Sequence, residues 1–170
     1  ERRWDSPIAA DLARGSVATW LDRVKADAEL RATAAGLRGF FLADPDEKRL
    51  YEEAMAVFRK GDFEKAASAL AAFDRRYPAS GYHESVLFWL GNAQYGKRDY
   101  AAAIRTFRSL VTASPAHPRA AEALLSIANC QIELKDVKAA RVTLAELAKA
   151  YPDTEAASAG KARAASIKAP

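Results

Sequence analysis

The chain has 170 residues, 50% of them hydrophobic and 28% charged, which places it among globular proteins of about one domain and excludes a disordered or fibrous chain. Lys and Arg number 26 against 22 Asp and Glu, a net +4, and both signs are interspersed along every predicted helix; this reads as solvated helix faces and argues against nucleic-acid binding. Cys130 is the single cysteine, so neither an intramolecular disulfide nor a thiolate metal cluster is possible, and no apolar run reaches the ~18 residues of a membrane span.

Residues 1–43 are predicted to form a helical segment and linker. Asp5 or Ser6 caps a helix with Pro7 in its first turn, and Ile8, Leu12, Trp20, Leu21 and Val24 give a broken apolar stripe. Val17, Leu21, Val24 and Ala28 supply less than two heptads, too few for a coiled coil. Gly36, Gly39, Asp44 and Pro45 mark the linker, with Phe40, Phe41 and Leu42 as an apolar clip. No charged start followed by an apolar stretch opens the sequence, so neither a signal peptide nor direct membrane insertion is expected.

Residues 44–168 form the main domain and contain one pattern three times. Asp62, Asp99 and Asp136 are 37 residues apart, as are Ala66, Ala103 and Ala140, and Pro78, Pro115 and Pro152. Small residues at Ala54, Gly91 and Ala128 keep the same register. Each unit reads as a helix, a short turn with an aspartate cap, a second helix, and a proline that cannot donate to a continuing helix. The units span about 46–80, 82–117 and 118–154, with Ser80, His117 and Thr154 as candidate caps for the helices that follow. An alanine-rich helix at 155–168 closes the array. A fixed period of this length predicts an all-α solenoid of stacked helix pairs, in which small residues let backbones approach and large ones fill the gaps.

This register resembles the tetratricopeptide repeat, lengthened from 34 to 37 residues, and implies a right-handed solenoid of three such helix pairs with a capping helix. More narrowly, YPASGYHESVLFWLGNAQYGKRDYAAAIRTFRSLV, the recurring Tyr151-Pro152 and the stretch LLSIANCQIELKDVKAARVTLAELAKAYPDTEAA resemble the C-terminal domain of the CpoB (YbgF) family, over about residues 46–168. That resemblance implies a non-enzymatic periplasmic adaptor, encoded with the Tol-Pal system and associated with TolA and a class A penicillin-binding protein. Its role is to coordinate septal peptidoglycan synthesis with outer-membrane constriction in division. The family's N-terminal coiled coil trimerises, whereas residues 1–43 show no sustained heptads. The runner-up is a BamD-like scaffold in outer-membrane protein assembly, a kind with more repeats and a lipidated N-terminal cysteine.

By the same resemblance, first helices line a concave groove. The register places Tyr51, Met55 and Phe58, then Phe88, Asn92 and Tyr95, then Asn129 on that face. Aromatics beside amides suit a peptide or helix, because rings bury area at low entropy cost and Asn both donates and accepts. Some tetratricopeptide domains clamp a C-terminal carboxylate with basic residues; here Ser85, Trp89, Glu122 and Ser126 stand in those places, so an internal or helical partner segment is expected. No catalytic, cofactor or metal motif is found. His83 and His117 are too far apart for a helical ligand pair, and neither a phosphate-cradling glycine loop nor a nucleophile elbow occurs.

Overall fold

A computed structural model describes residues 44–167, all helix and turn. Seven helices follow one another: α1 (Pro45–Arg59), α2 (Phe63–Arg76), α3 (His83–Gly96), α4 (Tyr100–Ala113), α5 (Ala120–Glu133), α6 (Val137–Ala150) and α7 (Glu155–Ser166). The expectations for residues 1–43 and 168 lie outside the described residues. Contacts divide the chain into Glu1–Lys48 and Arg49–Pro170, and the second unit holds the helix pairs apart from the first turn of α1.

The three aspartates act as the spacing predicts. Asp62, Asp99 and Asp136 each accept a hydrogen bond from the backbone N–H three residues on, at 3.1, 3.1 and 2.9 Å, and so satisfy one orphan donor of α2, α4 and α6. Asp99→Ala is expected to cost about 1 kcal/mol; an unchanged urea midpoint would count against the cap. Ahead of each aspartate the turn contains a left-handed residue: Gly61 (φ 78°), Arg98 (φ 64°) and Lys135 (φ 65°). Only glycine takes that conformation without a Cβ penalty, so the second and third turns are the more strained.

Between pairs the caps differ from the predicted set. Thr154 accepts from the Ala157 N–H at 3.2 Å and caps α7. Ser80 and His117 do not cap a helix, because α3 and α5 begin three residues further on. Instead the Ser80 hydroxyl accepts from Tyr82 N–H at 2.9 Å and His117 Nδ1 accepts from Arg119 N–H at 3.2 Å, which shapes the turns. His83, at the start of α3, is half-buried, and its Nδ1 lies 2.8 Å from Asp74 Oδ1 at the end of α2.

From α2 onward each helix packs on the next, α3 also touches α5 and α5 touches α7, and ring contacts join α1 to α2 and α3, so the first helices and α7 form an inner row, with α2, α4 and α6 outside. The small residues sit where helices cross. Ala54, Ala66, Ala103, Ala128 and Ala140 are almost wholly buried, and a Cβ on Gly91 would stand 2.6 Å from the Phe107 ring. Gly160 of α7 is nearly as tight, its Cβ position 2.9 Å from Leu147. Around these contacts lie two clusters, one built on Leu70, Phe73, Val86 and Leu90 and the other on Phe107, Leu110, Leu124, Ile127 and Leu147. Pro78, Pro115 and Pro152 are exposed, in the connections after α2, α4 and α6. Alignment and burial together make this a tetratricopeptide-type solenoid of three helix pairs and a terminal helix.

Cys130 is fully buried in the second cluster, and burial pushes its thiol up to about 12 from an ordinary 9.0. Folding therefore favours the neutral thiol. Its contribution is complete below pH 9 and is lost as pH rises from 9 toward 12, where the unfolded chain ionises first. Between pH 8 and 10 the wild type should lose about 1 kcal/mol more than Cys130→Ala, and parallel losses in urea titrations would contradict this.

The helix boundaries correct the expectation of interspersed charge. Neither α3 nor α5 contains Lys or Arg, while α4 contains no Asp or Glu. Among the described residues of these pairs, cations gather on the outer row and acids on the inner one.

Candidate protein-binding groove

The inner row presents α1, α3 and α5 side by side, and three groups of rings are anchored on it. Tyr51 of α1 stacks on Tyr82 at 4.5 Å and 14°, and meets the Phe73 edge at 6.0 Å. Further along α1, Phe58 packs edge to face on Phe63 at 5.5 Å and on Trp89 at 5.1 Å. Trp89 then meets Phe88 at 5.3 Å, and Phe88 meets Phe107 at 6.0 Å. Tyr95, at the far end of α3, packs on Tyr100 at 5.3 Å; burial first, then the Glu133 carboxylate, raises the pKa of its phenol. Such pairs hold rings in fixed orientations at little entropic cost.

Two of the expected groove residues belong to the core. Met55 is 8% exposed and Phe88 6%, each within a buried cluster, so neither presents a side chain to a ligand. Tyr51, Phe58, Asn92, Tyr95 and Asn129 are half-buried and keep part of their surface accessible. The Asn92 amide donates to the Phe88 carbonyl at 2.9 Å, which fixes its rotamer. Trp89 joins Phe58 to Phe88, whereas Tyr51 belongs to a separate group with Phe73 and Tyr82, and Tyr95 to a third with Tyr100.

Two residues of this surface were not singled out from the sequence as groove residues. Trp89 is half-buried and packs against both core clusters, and the Arg119 guanidinium lies over the Phe88 ring at 4.6 Å and the Trp89 ring at 5.0 Å. Glu122 lies 3.7 Å from Arg119. The adjacent Phe88 and Trp89 were the available signal, since a helix rotates 100° per residue and two neighbouring rings point in different directions. Among the described residues no group of His, Cys, Asp and Glu could hold a metal ion, and no helix is long and apolar enough to cross a membrane. What the surface offers is apolar area flanked by amide donors and acceptors, which suits a polypeptide segment.

Comparison with known proteins places the fold. The family model described as YfiO, outer membrane lipoprotein, matches residues 43–169. The chain belongs to the YfiO family. In agreement with the resemblance read from its residues, it is 39% identical over 57 residues to the cell division coordinator CpoB of Pseudomonas putida, a match covering 33% of this chain. The chain spans about a fifth, 21%, of the length of the curated relatives it matches. Among solved structures, PcrH in complex with the chaperone binding region of PopB is similar at a TM-score of 0.58 and 18% identity, over 74% of this chain and 96% of that one. PcrH from Pseudomonas aeruginosa is similar at 0.56 and 17%, over 73% and 89%. At these identities the likeness is one of fold. The YfiO member described here thus shares its helical-repeat fold with PcrH and a stretch of 57 residues with a division coordinator.

Proposed function

We propose that this chain is a non-enzymatic periplasmic adaptor that couples septal peptidoglycan synthesis to Tol-Pal-driven constriction of the outer membrane. It does so by holding segments of TolA and of a class A penicillin-binding protein in the inner groove. The observation that carries this reading is the 39% identity to CpoB over 57 residues. The exposed rings and amides support the mode of binding: Tyr51, Phe58 and Trp89 offer apolar anchors, and Asn92, Tyr95 and Asn129 offer hydrogen bonds to a partner backbone. The runner-up, a scaffold in outer-membrane protein assembly, is not favoured, because the curated relatives matched are named for cell division.

Calorimetric titration of the chain with purified TolA and with the periplasmic part of a class A penicillin-binding protein tests the proposal. Asn92→Ala combined with Tyr95→Ala should weaken binding by more than about tenfold, the level of a few interface hot spots, with the unfolding midpoint monitored in parallel. Binding that is indifferent to this double change in a folded protein would remove the groove from the proposal. No measurable binding to either partner would remove the partners.

A further inference from the structure

In the second and third pairs the outer helices are cationic where the inner ones carry only acids. Helix α4 carries Arg105 and Arg108 and no carboxylate; α6 carries Lys138, Arg141 and Lys149 with Glu146 as its sole acid. Two adjoining depressions open along these helices and share Arg108. Ile104, Arg105 and Thr112 line one, and Lys138, Val142 and Glu146 line the other. Val142 is 65% exposed, a large apolar side chain standing among cations.

At the centre, Arg108 Nη1 donates to both oxygens of Glu146, at 2.7 and 2.9 Å. Both side chains are about two-fifths exposed, so water screens the pair, and it contributes at most about fivefold to an equilibrium. A carboxylate brought by another molecule therefore displaces Glu146 at small cost. Arg105 and Lys138 make no ion pair among the described residues and are exposed to such a molecule.

We propose that the furrow between α4 and α6 docks an acidic, amphipathic segment of a protein partner, with Glu146 holding the carboxylate position until the partner arrives. Charge complementarity selects the occupant. Guanidinium and ammonium groups flanking Ile104 and Val142 match a helix that alternates acidic and apolar side chains. Asp136 and Glu146 also line the second depression, so the occupant's acids fall against Arg105, Arg108 and Lys138 while its apolar side chains meet Ile104 and Val142, an alternation that a phosphate backbone, charged throughout, does not offer. This surface lies on the helices opposite the groove and does not depend on what the groove binds.

The experiment is fluorescence anisotropy of the whole chain with a labelled amphipathic peptide of glutamate, leucine and alanine. Duplex DNA and phosphatidylglycerol vesicles are run alongside. The peptide should bind and weaken with salt, and Arg105→Ala with Lys138→Ala should weaken it at least about tenfold. Glu146→Gln should tighten it by up to about fivefold by releasing Arg108, and the gain should vanish in an Arg108→Ala background. Glu155→Gln, which removes an acid outside the furrow, should change nothing. Peptide binding insensitive to Arg105 and Lys138 would overturn the site, and a Glu146→Gln gain that persists without Arg108 would overturn the role of Glu146. Binding of DNA or vesicles in place of the peptide would overturn the partner class.

Discussion

Phe107→Ala should destabilise the chain by about 4 kcal/mol, the upper part of the range for emptying a large core site. Phe107 is fully buried, packs edge to face on Phe88, and lies against the Gly91 backbone where α3 crosses α4. The surrounding helices are held by the neighbouring pairs on both sides, so the site collapses poorly and most of the cavity persists. Because each pair contacts only its neighbours, the loss falls on the central pair and should separate the array into two weaker halves. Urea unfolding followed by circular dichroism should show the midpoint shift together with a broadened transition. A loss below about 1 kcal/mol would mean that Phe107 is not the residue that closes the central pair.

Gly91→Leu should cost about 3 kcal/mol by overpacking. A Cβ at this position meets three atoms of the Phe107 ring at 2.6–2.8 Å, closer than such atoms approach, and the ring has no empty space to enter because it is itself fully buried. The smaller change Gly91→Ala isolates the cause. Alanine is the better helix former by roughly 1 kcal/mol, so any loss reports the clash, and Phe107→Leu in the same chain should relieve it. The double-variant cycle is therefore expected to be strongly non-additive in the favourable direction. Additive effects would place the two side chains out of contact.

Much of the fold was legible because its determinants are local. An aspartate that caps a helix does so through its own side chain and a backbone N–H three residues on, so Asp62, Asp99 and Asp136 announce their role by type and spacing alone. Gly91, Ala103 and Ala140 were equally readable, since only small residues fit where backbones cross. The groove was less so. A periodic stripe locates a helix face to within about one residue, and one residue decides whether Phe88 or Trp89 is the buried ring. Met55 was misplaced for the same reason.

Sequence by itself determined the repeat, its number of copies, the caps of the second helices and the alanine and glycine crossings, because each depends on contacts within a few residues or on a strict register. Tertiary structure alone decided three further things. Trp89 and Arg119 joined the candidate groove surface only when α1, α3 and the start of α5 were brought together. Ser80 and His117 became turn residues once their helices started three positions later. Charge that seemed evenly mixed along the chain became sorted by row in the second and third pairs, since a residue's sign has no spatial meaning until it is known which helix lies inside and which outside.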